Sequence, residues 1–148
     1  IMKVIAPVGK VYQAGTLSGN PVAMAAGLAQ LNLLLEPDFY STLETKSALF
    51  GNGITYLIQK YDLPIQTYRL GSLAWIYFGQ ASSMRSASVI QAETMQHYKT
   101  FFRYCLENGV YFAPSGYEVT FISQAHTESE INQTLSVVES AFKTVFNR

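Results

Sequence analysis

A short loop near the start of the chain carries residue types that can bind a phosphate. Gly15 and Gly19 permit tight backbone paths, and Thr16 adds a hydroxyl and a backbone amide that can both donate hydrogen bonds. Asn20 and Pro21 follow directly, and these types are preferred at the N-cap and at the first position of an α-helix. Because a helix N-terminus carries partial positive charge, the loop and the helix start together predict an anion site.

The loop lacks two common phosphate-binding patterns. It has no lysine after its second glycine, which the P-loop requires, and it does not have the G-x-G-x-x-G spacing of dinucleotide-binding loops. On residue types alone, an ordinary turn followed by a capped helix therefore stays open beside phosphate binding.

A carboxylate far along the chain is the second candidate for chemistry. Glu118 lies between Tyr117 and Val119 at the start of an apolar segment. A carboxylate in such a segment needs a polar partner. From the residues alone, Glu118 either has such a partner or takes a solvent-facing strand position, because most glutamates are exposed.

The histidines and the single cysteine do not form a metal-ligand pattern. His97 and His126 have no ligand spacing with Cys105 or with acidic residues, so we predict surface or capping roles for them and no metal. Cys105 lies in an apolar helical stretch, where a core role is expected. As the only cysteine it excludes an internal disulfide, which favours a reducing compartment such as the cytoplasm.

The composition limits the partners of the chain. The 148 residues suit one compact unit, and 10 Lys and Arg balance 10 Asp and Glu with no basic cluster, so we predict no nucleic-acid or anionic-membrane partner. No apolar run reaches the roughly 18 residues that span a bilayer. Charged residues make up only 14%, which indicates surface that a partner or further sequence normally covers.

Two segments resemble the glutamate-1-semialdehyde 2,1-aminomutases, which are pyridoxal-phosphate enzymes related to the class III aminotransferases. The first is VYQAGTLSGNP at residues 11–21, and the second is GVYFAPSGYE at residues 109–118, followed by matches at 121–123 and 125–128. The resemblance covers essentially the whole chain. Because the family's enzymes are far longer, the chain is expected to be the C-terminal part of such an enzyme.

The resemblance implies roles for four residues. Gly15 and Thr16 stand where the family binds the phosphate of pyridoxal 5′-phosphate held by the neighbouring subunit of a homodimer. Tyr12 and Glu118 stand close to the family's substrate pocket, although an interface role for Tyr12 stays open. The two residues before Glu118, Gly and Tyr in this chain, replace the Gln-Phe that is more usual in the family.

The resemblance also implies a reaction on a small molecule. It is the transfer of the amino group of glutamate-1-semialdehyde from C2 to C1, giving 5-aminolevulinate for tetrapyrrole synthesis. The Schiff-base lysine of the family is expected upstream of this chain, since neither Lys3 nor Lys10 matches its surroundings. No catalytic residue is therefore predicted here, and the isolated chain is expected to be inactive. The alternatives are another class III ω-aminotransferase and a non-catalytic dimerisation module.

The elements that position these residues follow from hydrophobic periodicity and turn signals. Helices are predicted at residues 21–35, 38–61 and 89–108, and a last helix follows the capping box that starts at Thr127. Strands are predicted at 65–70, 73–78, 110–112 and 119–123, with a surface loop at 79–88. The order ααββαββα predicts an α+β fold with a small antiparallel sheet and helices packed on one side.

The resemblance sets the expected domain organisation. Residues 1–20 are expected to be an extended arm with the phosphate-loop motif, at the edge of a cofactor domain. Residues 21–148 are expected to be the C-terminal α+β domain of a transferase that depends on pyridoxal 5′-phosphate (PLP).

Overall fold

The computed structural model describes residues 1–81 and 84–147. Residues 82 and 83 of the predicted loop, and Arg148 at the end of the predicted C-terminal domain, lie outside the described residues. The chain forms two compact units, Ile1–Phe39 and Tyr40–Arg148. The division follows Phe39 rather than residue 20, so the first helix belongs with the phosphate-loop segment. The assignment of residues 1–20 to a cofactor domain stays a prediction.

The first unit contains a folded loop and one long helix. After a 3₁₀ turn at Met2–Val4, Ile5 and Val11 form an isolated parallel bridge. This differs from the predicted extended arm, because the amide of Val11 donates to the carbonyl oxygen of Val4 at 2.9 Å and the chain turns back on itself. Helix α1 then spans Pro21–Leu34.

The start of α1 is as predicted. Asn20 is the N-cap, its side-chain oxygen accepts from the amides of Val22 and Ala23, and Pro21 takes the first helical position. None of the residues of α1 is buried within this chain.

The second unit contains the sheet and the remaining long helices. Its elements are α2 (Phe39–Lys60, of which only Phe39 belongs to the first unit), β1 (Gln66–Leu70), β2 (Leu73–Tyr77), α3 (Met95–Glu107), β3 (Thr120–Phe121) and α4 (Glu128–Phe146). In the described part of the chain the three strands form one antiparallel sheet in the order β1-β2-β3. The predicted α+β fold with a small antiparallel sheet is confirmed.

The core of the second unit lies between the sheet and its helices. On the central strand β2, Ala74 and Ile76 are buried in this core, and Trp75 alternates with them onto the other face. The helices contribute mainly aromatic and branched side chains. The fully buried large ones among these are Phe50, Ile54, Phe101, Val138 and Phe142.

One predicted strand is absent. Residues 110–112 form no strand, because the amide of Val110 already donates to the carbonyl oxygen of Cys105 at 2.8 Å and completes the C-cap of α3. Phe112 is nevertheless buried, with its ring centroid 5.2 Å from that of Phe101. Apolar packing therefore fixes this segment without strand pairing.

Two other predicted boundaries were wrong. Helix α3 begins at Met95 rather than at residue 89, because the amide of Gln91 donates to the Tyr77 hydroxyl and two 3₁₀ turns precede the helix. Strand β3 is shorter than predicted, because the amide of Ser123 donates to Nδ1 of His126 in a turn.

Candidate functional site

The predicted phosphate loop is a tight turn on the surface of the first unit. The amide of Ser18 donates to the carbonyl oxygen of Gly15 at 2.9 Å, and the amide of Asn20 donates to that of Leu17 at 3.1 Å. Gly15 leaves the turn room to close, since a Cβ there would collide with Oγ of Ser18. Gly19 has a φ of +72°, a conformation that favours glycine.

The start of α1 is not free to bind an anion in this structure. Oδ1 of Asn20 accepts from the amides of Val22 and Ala23 at 3.0 and 3.1 Å, and Pro21 has no amide hydrogen. The expectation that the helix N-terminus would itself hold the anion is therefore corrected, because the N-cap already satisfies those donors.

The free donors lie one turn earlier, around Thr16. Among the described residues, the hydroxyl of Thr16 and the backbone amides of Thr16 and Leu17 have no hydrogen-bond partner. Thr16 and Gly15 are exposed. These groups fit a phosphate, which accepts several hydrogen bonds at once.

Tyr12 is the other predicted site residue of the first unit. Its side chain is 82% exposed within this chain. Its ring and hydroxyl are therefore open to a ligand or to another polypeptide.

Glu118 lies in the second unit, at the end of a turn formed by residues 113–118, here called the Glu118 turn. The amide of Glu118 donates to the carbonyl oxygen of Ser115 at 3.1 Å. Two residues later the chain enters the sheet, where Thr120 pairs with Ala74 of β2. Glu118 is exposed, so its carboxylate is open to a ligand.

Side chains that the sequence analysis did not single out surround the Glu118 turn. The hydroxyl of Tyr98 donates to the carbonyl oxygen of Ala113 at 2.6 Å, and the indole Nε1–H of Trp75 donates to that of Gly116 at 2.8 Å. Burial raises the pKa of Tyr98 to about 12, and the charges of Cys105 and Glu118 act in the same direction. Tyr98 is therefore a neutral donor at physiological pH.

Two cavities adjoin this turn. The larger, of about 570 Å³, lies between α3 and the turn and is lined by Tyr98, Gly116 and Tyr117 among others. The smaller, of about 370 Å³, is lined by Trp75, Arg85 and Tyr117 among others. Tyr117 contributes to both cavities, directly beside Glu118.

The remaining reactive side chains have structural settings. Burial raises the pKa of the Cys105 thiol to about 12, which fits the predicted core role. His126 accepts from the Ser123 amide at 3.0 Å, and His97 packs on the ring of Phe146. Within residues 1–81 and 84–147, no cluster of His, Cys, Asp and Glu is placed to hold a metal ion. Over the same residues, no helix combines the length and the apolarity that crossing a membrane requires.

Comparison with known proteins assigns the family. Residues 1–142 match the family Aminotransferase class-III, so the chain belongs to the class III aminotransferases. A glutamate-1-semialdehyde 2,1-aminomutase of Persephonella marina is 43% identical over 143 residues, which are 97% of this chain and 33% of that protein. The chain thus spans about a third of the length of the curated relatives it matches.

Solved transaminases have the same fold. An omega-transaminase from Sphaerobacter thermophilus gives a TM-score of 0.78 at 22% identity, covering 98% of this chain and 33% of that one. A transaminase with PLP bound gives a TM-score of 0.72 at 25% identity, covering 99% of this chain and 33% of that one. Both the resemblance and the family's cofactor, pyridoxal 5′-phosphate, are confirmed.

Proposed function

We propose that this chain is the C-terminal part of a glutamate-1-semialdehyde 2,1-aminomutase. In this proposal its loop binds the phosphate of pyridoxal 5′-phosphate held by the neighbouring subunit of a homodimer. The observation that carries the proposal is the set of free donors around Thr16, in a chain 43% identical to an aminomutase over 143 residues.

The loop residues have separate tasks in phosphate binding. Thr16 donates through its hydroxyl and its backbone amide, and charge-assisted hydrogen bonds contribute about 1.5–3 kcal/mol each. Gly15 keeps the turn closed, because it places no side chain against Ser18. Asn20 keeps α1 capped, so the loop binds the anion without drawing on the helix amides.

The reaction is an intramolecular amino transfer. Glutamate-1-semialdehyde is converted to 5-aminolevulinate for porphyrin synthesis, and the bound cofactor supplies the electron sink that this chemistry needs. The Schiff-base lysine lies in the part of the protein that precedes Ile1, and this chain by itself is inactive. Tyr12 and Glu118 are each exposed in their own unit, and each is a candidate for contact with the substrate in the complete protein.

The compartment proposed for the protein is the cytoplasm. Cys105 is a buried free thiol and the chain holds no second cysteine, which suits a reducing environment.

A second candidate is an aminotransferase that passes the amino group to a keto acid. The match of residues 1–142 to the family Aminotransferase class-III supports this candidate, and an omega-transaminase with a TM-score of 0.78 has the same fold. At 22% identity this likeness concerns the fold alone, whereas the aminomutase relative is 43% identical.

The experiment that separates the two candidates is an assay of the full-length protein with pyridoxal 5′-phosphate. An aminomutase forms 5-aminolevulinate from glutamate-1-semialdehyde with no keto acid added. A strict requirement for a keto-acid acceptor would establish the aminotransferase instead.

Borohydride reduction followed by peptide mapping locates the lysine. We expect the reduced pyridoxyl group on a peptide upstream of Ile1. A label on Lys3, Lys10 or another lysine of this chain would contradict the proposal.

A further inference from the structure

The Glu118 turn is held at two of its carbonyl groups by side chains from two different elements. Tyr98 of α3 donates its hydroxyl to Ala113 at 2.6 Å, and Trp75 of β2 donates its indole N–H to Gly116 at 2.8 Å. Loss of the donor would leave a carbonyl group without a hydrogen bond away from water, which is unfavourable. Each bond therefore constrains the position of the turn.

Trp75 is itself fixed by its neighbours in the sheet. Its ring stacks between Tyr68 and Tyr77, with centroid distances of 5.8 and 5.5 Å and interplanar angles of 27° and 23°. Tyr77 is fully buried, and its hydroxyl accepts from the amide of Gln91 at 3.3 Å. The indole donor therefore has a single well-defined position on the central strand.

The backbone of the turn is also packed directly against α3. A Cβ at Gly116 would lie 2.8 Å from Sδ of Met95 and 2.9 Å from Cγ of Tyr98. Gly116 therefore allows the backbone of the turn to pack closely against α3. Glu118 follows two residues later, and Thr120 is then paired with Ala74, next to Trp75 on β2.

We infer that Trp75 and Tyr98 are positioning residues, which hold the Glu118 turn so that the Glu118 carboxylate stands at a fixed place beside the substrate. The inference rests on the proposed function, which places Glu118 in the substrate pocket. Neither Trp75 nor Tyr98 needs to touch the substrate. Their effect is to preorganise the residue that does, and small displacements of such a group reduce the rate.

Single variants of the full-length protein measure this effect. W75F keeps an aromatic ring in the stack but removes the indole donor together with part of the ring, whereas Y98F removes only the hydroxyl. Because each leaves one carbonyl unpaired, we expect kcat/KM to fall about five- to tenfold. The matched control is Y68F, which removes an exposed hydroxyl from the same stack without touching the turn, and should leave kcat/KM unchanged.

A readout independent of activity follows the backbone. The amide of Glu118 is bonded to Ser115, so its hydrogen exchange reports whether the turn is closed. We expect faster exchange in peptides covering residues 113–118 in W75F and Y98F, and unchanged exchange in Y68F. Unchanged exchange in W75F and Y98F would overturn the inference.

A double-mutant cycle separates positioning from a general structural role. If Trp75 acts through Glu118, then W75F should cause little further loss of kcat/KM in an E118Q background. If W75F lowers kcat/KM by the same factor in the wild-type and E118Q backgrounds, the positioning role alone would be overturned. An E118Q variant indistinguishable from wild type would overturn the assignment of Glu118 and the positioning role together. The cycle can be run on aminomutase or aminotransferase activity, so the choice between those reactions is decided separately.

Discussion

The two compact units of the chain use their apolar residues in opposite ways. In Tyr40–Arg148, aromatic and branched side chains from the sheet and the helices form one buried core. In Ile1–Phe39 no residue is buried, and the helix Pro21–Leu34 is uncharged and exposes several large apolar side chains. The second unit is therefore stabilised by its own packing, whereas more than half of the large apolar side chains that are exposed in the described residues lie in the first unit.

The largest expected difference between the units is in the response to truncated apolar residues. Phe142 is fully buried against Phe78 and Phe101, so F142A should lower the free energy of unfolding by about 3–5 kcal/mol. Leu28 is 61% exposed on α1, so L28A should change the free energy of unfolding by no more than about 0.5 kcal/mol. Urea unfolding of the 148-residue chain measures both, and equal losses would contradict the comparison.

The next difference concerns one substitution made in a helix of each unit. Gly53 of α2 faces Leu135, and an added Cβ would lie 2.7 Å from Cδ2 of that leucine, so G53A should destabilise by about 1–3 kcal/mol. Gly27 of α1 has open space around it, so G27A should stabilise by about 0.5–1 kcal/mol through helix propensity. Thermal unfolding of both variants shows whether each substitution raises or lowers the stability of the protein. A destabilising G27A would mean that α1 is packed against another part of the chain.

This pair also shows a limit of prediction from sequence. Helix propensity alone predicts that the glycines of α2 only weaken the helix, because propensity is a local property. Gly53 is instead a point of close contact with α4, and that contact depends on the tertiary arrangement. Similarly, Val110 has the β propensity of a strand residue, but the C-cap of α3 takes its amide.

Features fixed by local chemistry were predicted well. Asn20 with Pro21 and the Thr127 capping box were read from the sequence, because each involves residues within three positions of one another. Thr16 was a candidate from its loop, whereas its cofactor-phosphate role and the substrate-pocket role of Glu118 came from the resemblance, and both roles stay predictions. The contacts of Trp75 and Tyr98 with the Glu118 turn could not be predicted, because they join residues far apart in the sequence.

Removing the helix N-caps should lower helix stability by less than the core substitutions lower the free energy of unfolding. The loss should be equal in the two units. The side chain of Thr127 accepts from the amide of Glu130 at 3.2 Å, and that of Asn20 accepts from two amides of α1. T127A and N20A should therefore each cost about 1 kcal/mol of helix stability. Circular dichroism during thermal unfolding measures the loss. An N20A variant with no loss of helix would show that the cap contributes nothing to α1.

The smallest expected effect is a pH dependence confined to the second unit. Hydrogen bonds from Lys60 at 2.8 Å and from Tyr61 lower the pKa of Glu139 to about 2. Because this value is below that of an unfolded glutamate, about 4.3, the contribution to stability is complete above that pH. It is lost as the pH falls towards 2.

Comparison of the wild type with E139Q isolates this effect. The difference in their unfolding midpoints should be largest near pH 7 and should shrink as the pH approaches 2. E107Q, which removes an exposed carboxylate on α3, serves as the control. A difference that stays constant from pH 7 to pH 2 would contradict the role of Glu139.

The most direct test of the proposed cofactor site is the affinity of the full-length protein for pyridoxal 5′-phosphate in two variants of Thr16. T16V removes the hydroxyl with little change of shape, and T16S retains it. Since one charge-assisted hydrogen bond is lost, T16V should raise the Kd for the cofactor by about tenfold or more, while T16S stays close to wild type. Equal cofactor affinity in T16V, T16S and wild type would contradict the assignment of this loop to the phosphate.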